Sequence, residues 1–193
     1  MQELKNVQFP NLDSGYFKIL FLFLSFPNKE ATLNEIVKEL KISKSTANRE
    51  ILKLVKEGVL DKKEIGNAWR ISLNKQHLYN RSRKVCFNLL MIQESFIVDI
   101  INRKYPSNNA IVLFGSYRKG DDNEESDIDL AVEVLGNKKL EVIELGVIKQ
   151  FGLRFNVKVN LHLFSRNNIN INLLSNISNG IVIDGFLEVK NGG

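Results

Sequence analysis

The sequence is short of the residues that would commit it to a stapled, fibrous or membrane-spanning design. One cysteine, Cys86, among 193 residues excludes an internal disulfide and a cysteine-rich zinc site. Three prolines and 12 glycines exclude collagen-like and low-complexity chains. The longest apolar run, Ile19 to Leu24, falls far below the ~20 residues that span a bilayer, and no cleavable export segment is expected after Met1. The expectation is a cytoplasmic protein without a membrane partner. With two histidines and one cysteine, any bound metal is expected to be held mainly by oxygen. What remains is 44% hydrophobic and 25% charged, ordinary globular usage, and long enough for one medium domain or two small ones.

Charge is unevenly placed. Of the net +5, residues 1–80 contribute +4, residues 81–104 contribute +3 and residues 105–193 contribute −2. A basic front and an acidic back suit two units with different partners, the first able to approach a polyanion and the second able to hold cations.

The front unit reads as helices followed by a hairpin. Tyr16 to Phe26 is apolar on every side except Lys18, as a short buried helix would be, and Pro27 with Asn28 closes it. Thr32 and Glu35 form a capping-box pair that opens a second helix, with Leu33, Ile36, Val37 and Leu40 as its apolar stripe. A tight connection through Ile42 and Ser43 leads to a third helix from about Lys44 to Gly58, with Ala47, Ile51, Leu54 and Val55 facing inward. Its outward face is expected to carry Lys44, Ser45, Thr46, Asn48, Arg49 and Lys53, side chains that donate to phosphates or read base edges. Ile65-Gly66-Asn67 then supplies turn chemistry before the alternating strand Trp69-Arg70-Ile71-Ser72-Leu73. Residues 16–74 resemble the winged helix-turn-helix domains of prokaryotic regulators, most clearly in Ser43 to Leu52 and Leu54 to Leu60. The resemblance implies contact with double-stranded DNA through the six helical residues and Arg70 of the wing; dimerisation or partner docking is the other use of such a domain.

Asn80 to Lys104 contains neither proline nor glycine. Val85, Leu89, Ile92, Phe96, Ile97, Ile100 and Ile101 keep a helical repeat, which predicts one long connecting helix. Leu90, Met91 and Val98 widen its apolar surface enough to pack on both domains or on a second copy of the chain, and Cys86 is expected inside that surface. The expected division is 13–78, 79–104 and 105–190.

The chemistry is concentrated beyond residue 110. Ala110 to Phe114 reads as a buried strand turning at Gly115, and the following Ser116-Tyr117-Arg118-Lys119-Gly120 brings amides, a hydroxyl and basic side chains to a place where a phosphate could sit. Further on, Ser126-Asp127-Ile128-Asp129-Leu130 alternates as a strand, so Asp127 and Asp129 share a face about 7 Å apart along the backbone. Two carboxylates on one face can share a hard cation such as Mg²⁺ or Mn²⁺ with the phosphates of a nucleoside triphosphate. The acidic residues Asp121, Asp122, Glu124 and Glu125 between the two halves read as a solvated loop.

Phe114 to Gly120, spaced before Ser126 to Leu130, resembles the signature of the DNA polymerase β nucleotidyltransferase superfamily in its minimal branch. The resemblance covers residues 82–187. It implies a small α/β domain with a mixed sheet, a helix near Lys138 to Gly152, a strand Phe155 to Phe164, a helical stretch near Asn168 to Ile177 and a last strand Ile181 to Asp184. It assigns Gly115 and Ser116 to the triphosphate, Lys119 to a position that is usually basic, and Asp127 and Asp129 to the metal; the role of Arg118 is left open. The superfamily generally adds a third carboxylate from a neighbouring strand, and the matching position here is Asn160, with His162 on the same face and Glu133 further along as substitutes. The expected activity is transfer of a nucleoside monophosphate to an acceptor hydroxyl. The alternative is a DNA-binding regulator whose nucleotidyltransferase-like domain senses nucleotide with weak or no turnover. Members of this branch also act as antitoxins against a helical ribonuclease, some by transferring AMP to it, which implies a toxin-like protein partner.

Overall fold

The computed structural model describes residues 3–4 and 14–188, the side chains of 3–4 apart. The chain divides into two compact units, residues 9–87 and residues 1–8 with 88–193. The division falls inside the stretch expected to be a connecting helix; Asp13 and residues 189–190 of the expected ranges lie outside the described residues. The fold is mixed α and β, as expected. Among the described residues no single helix is long and apolar enough to cross a membrane.

After the two-residue strand β1 (Glu3–Leu4), the unit spanning 9–87 opens with α1 (Gly15–Ser25), which buries Ile19 to Leu24. β2 (Glu30–Ala31) follows, and then α2 (Leu33–Leu40), started by the capping box: Thr32 N–H donates to Glu35 Oε2 at 2.7 Å and Glu35 N–H donates to Thr32 Oγ1 at 3.3 Å. The bond from the Thr32 amide also holds the Glu35 carboxyl below its usual range. α2 stops at Lys41, in the left-handed region at φ 51°. α3 (Lys44–Lys56) is capped by Ser43 Oγ, which accepts from Thr46 N–H at 3.1 Å, and it buries Ala47, Ile51 and Leu54. β3 (Leu60–Ile65) and β4 (Ala68–Leu73) form a two-residue hairpin through Gly66, and β2 joins the far side of β4, giving the antiparallel order β2-β4-β3.

The expected long helix is two helices. α4 (Asn80–Glu94) and α5 (Ile97–Lys104) are bent by 55° at a break that no proline or glycine marks. Phe96 takes the left-handed conformation at φ 56°, and the buried Ser95 stabilises the break: its Oγ donates to Ile92 O at 2.6 Å and accepts from Ile97 N–H at 3.3 Å. Cys86 is exposed on α4, contrary to the expectation that it would be buried.

The second unit continues with β5 (Asn108–Phe114), the single-turn α6 (Gly115–Lys119), β6 (Ile128–Val134), β7 (Glu141–Phe151), β8 (Arg154–Phe164), α7 (Ile171–Ser178) and β9 (Ile181–Gly185). They build a mixed sheet in the order β1-β7-β8-β6-β5-β9, with β6 parallel to β8. The segment expected as a helix near Lys138 to Gly152 is instead the long strand β7. Its Val142, Ile143, Val147 and Ile148 favour a pleated surface, and the turn at Gly152 (φ 63°) folds β7 directly back along β8. α7 covers Ala110, Val112, Ala131 and Phe164 on the face that also carries Asp129, whereas Asp129 and Asn160 stay partly exposed.

Candidate active site

The site is built where β5, β6 and β8 lie side by side. β5 delivers Phe114 opposite Asp129 of β6, and Gly115 then turns the chain at φ 71°. The backbone angle favours glycine, and a Cβ on Gly115 would stand 3.0 Å from Asp129 Oδ2 and press on that carboxylate. The next residue, Ser116, presents an Oγ that hydrogen-bonds to no described residue, and its carbonyl accepts from Gly120 N–H at 2.9 Å to close the turn. Arg118 is half-buried and Lys119 exposed, and no carboxylate pairs with either among the described residues.

Parallel pairing sets Asp129 beside Asn160. One atom, Asn160 Nδ2, lies 3.4 Å from both Asp127 Oδ2 and Asp129 Oδ1, so the two carboxylates converge on a single point. His162 Nε2 is also 3.4 Å from Asp129 Oδ1, and its ring meets Phe114 edge-on at 4.8 Å. The expected residues Asp127, Asp129, Asn160 and His162 are thus brought together, with Gly115 against Asp129.

Among the described residues no group of three or more His, Cys, Asp or Glu side chains is arranged to hold a metal ion. The donors that do converge are oxygen-bearing: two carboxylates and, with the amide turned over, the Asn160 carbonyl. That set fits Mg²⁺, which takes one or two carboxylates and completes its shell with phosphate oxygens and water.

A buried polar network fixes the approach to Asp127. Asp122 is 3% exposed, which overturns the reading of the whole 121–125 loop as a solvated face. Asn88 Nδ2 donates to Asp122 Oδ1 at 2.7 Å and to Tyr117 O at 3.0 Å. Arg154, at the start of β8, donates to Tyr117 Oη, to Glu124 O at 3.0 Å and to Ser126 O at 2.8 Å, and stands 3.8 Å from Asp122. Both halves of the signature are therefore tied to one guanidinium. Burial pushes the Tyr117 phenol well above its ordinary range, keeping it neutral. Glu133, read as a substitute carboxylate, is unavailable: it is 2% exposed and held by Arg166 through two bonds of 2.8 and 3.1 Å.

Two residues on the site's face escaped the sequence reading. Lys158 shares that face of β8 with Asn160 by alternation, a signal the sequence did contain. Glu144 lies directly opposite Asn160 in the β7–β8 pairing, which a helical reading of its segment hides.

In the other unit, Lys44, Ser45, Asn48, Arg49 and Lys53 are exposed along α3 and Arg70 on β4. Thr46, one helical repeat before Lys53, is half-buried, with its methyl 2.6 Å from where a Cβ on Gly15 would lie. Arg49 donates to Glu50 Oε1 at 2.7 and 2.9 Å, and Lys53 Nζ sits 4.8 Å from the centre of the Tyr16 ring.

Residues 95–179 match the family model of the nucleotidyltransferase domain, a span that begins at the α4–α5 break and contains both signature halves together with Asn160. Over that segment, a little under half of the chain, the protein is similar to nucleotidyltransferase domains. No curated protein matches the chain.

Proposed function

We propose that the chain is a divalent-metal-dependent nucleotidyltransferase carrying a winged helix that contacts double-stranded DNA. The observation that carries the catalytic part is the convergence of Asp127 and Asp129 beside the Gly115–Ser116 turn. In this reading Ser116 Oγ and the Gly115 amide engage the phosphate tail, and Lys119, with Arg118 and Lys158 as further cations, offsets its charge. Asp127 and Asp129 would hold Mg²⁺ or Mn²⁺, which lowers the electrostatic barrier to attack on phosphorus and to departure of pyrophosphate. The acceptor oxygen bonds to the α-phosphorus, the bond from it to the bridging oxygen breaks so that pyrophosphate leaves with that oxygen, and the hydroxyl proton passes to solvent. The protein contributes position and charge, with no covalent intermediate.

A second reading rests on Asn160. Its amide donates to both carboxylates where a third negative charge would otherwise complete the set, which favours nucleotide binding without turnover and hence a regulatory sensor. Incubation with labelled ATP, CTP, GTP and UTP in Mg²⁺ or Mn²⁺, beside calorimetry, separates the two. Transfer abolished by Asp127→Ala supports the enzyme. Binding abolished by that change, with no product formed by the unaltered chain, supports the sensor. No metal or nucleotide binding at all refutes both.

For the front unit, the exposed row Lys44, Ser45, Asn48, Arg49 and Lys53 with Arg70 supports duplex binding. Arg49→Ala with Lys53→Ala should weaken it and flatten its salt dependence by about two phosphate contacts. Unchanged affinity would remove the assignment.

A further inference from the structure

We propose that Glu144 supplies the third carboxylate toward the divalent cation, reaching across Asn160 from the neighbouring strand; this rests on the nucleotidyltransferase reading above. Strand register carries the argument. Asp129, Asn160 and Glu144 form one row across β6, β8 and β7, because Asp129 pairs with Asn160 and Asn160 pairs with Glu144. Directly paired residues point to the same face of a sheet, so Glu144 shares the face of the site.

Immediately after Glu144 the register shifts, with Gly146 taking the place opposite Val159. Such a bulge bends the strand and re-aims the side chains beside it. The Glu144 carboxylate is exposed and has no ion-pair or hydrogen-bond partner among the described residues, whereas Glu141 on the same strand is paired with Lys138 at 2.7 Å.

The reach is adequate. Backbones two strand spacings apart are about 10 Å from each other. Oxygens on opposite sides of a Mg²⁺ ion are about 4 Å apart. Asp129 and Glu144 must close the remainder between them, and the extra methylene of glutamate supplies what aspartate at that distance would lack. The neutral amide of Asn160 stands between the two acids in the row.

The test measures Mn²⁺ binding to the full chain by calorimetry, without nucleotide. Glu144→Gln is expected to weaken binding at least about tenfold, while Glu141→Gln leaves it unchanged. In an Asn160→Asp background, where the new carboxylate takes over, the effect of Glu144→Gln should shrink to at most about threefold. Binding to Glu144→Gln as tight as to the unaltered chain, with Asp127→Asn still weakening it, overturns the Glu144 assignment alone. Binding that ignores Asp127→Asn overturns the underlying reading as well.

Discussion

Strand β6 carries two carboxylates four residues apart on one face, and their surroundings differ. Glu133 is buried and gripped by the Arg166 guanidinium, which also holds Glu188 at 2.6 Å. Asp129, at the other end, is partly exposed and among the described residues meets an amide and an imidazole at 3.4 Å. A carboxylate with a full cationic partner serves stability; one left with contacts of 3.4 Å beside a second carboxylate has room for a further partner. The difference separates the scaffold end of the strand from its chemical end.

The sharpest way to break this comparison is to remove the partner at the scaffold end. Arg166→Met strands Glu133 without its counter-charge and is expected to cost about 3 kcal/mol in urea unfolding; a change below about 1 kcal/mol would erase the distinction. Gly115→Ala attacks the open end through the backbone. It should cost about 1–2 kcal/mol for the left-handed conformation and displace Asp129, so nucleotide affinity falls together with stability. Asp129→Asn sharpens the contrast further: stability should stay within about 0.5 kcal/mol while Mn²⁺ affinity drops at least about tenfold.

The smallest effect is at high pH and should not involve Asp129 or Glu133. Burial, followed by the 2.6 Å bond to Glu57, pushes Tyr16 up to about 12, and burial also raises Tyr117. A pKa raised on folding gives stability that is complete below the free phenol value of about 10 and is lost as pH climbs through the folded value. Stability should therefore decline from about pH 10 toward 12, and Tyr16→Phe should flatten that decline in the unit spanning 9–87.

Local signals made much of this legible in the sequence. Thr32 with Glu35, and Gly66, announce a cap and a turn within a few residues, and the Gly115–Ser116 and Asp127–Asp129 halves lie on the elements that bring them together. What was hidden depends on distant partners. A helix was expected in place of β7 because the family resemblance implied one there, and only the pairing with β8 shows that the segment is extended. The break at Phe96 has no breaker residue and rests on the bonds of Ser95. The burial of Asp122 requires Asn88 and Arg154, 34 and 32 positions away, so no window of sequence could show it.

The ties on the 122–126 segment make it a ruler. Asn88 fixes one end, the Glu124 and Ser126 carbonyls are fixed at the other, and Asn123 N–H donates to Ser126 Oγ at 3.0 Å between them. Adding a single residue there cannot be absorbed as slack. It would slip the start of β6 by one place and, through the two-residue alternation of a strand, swing both aspartates to the wrong side of the sheet.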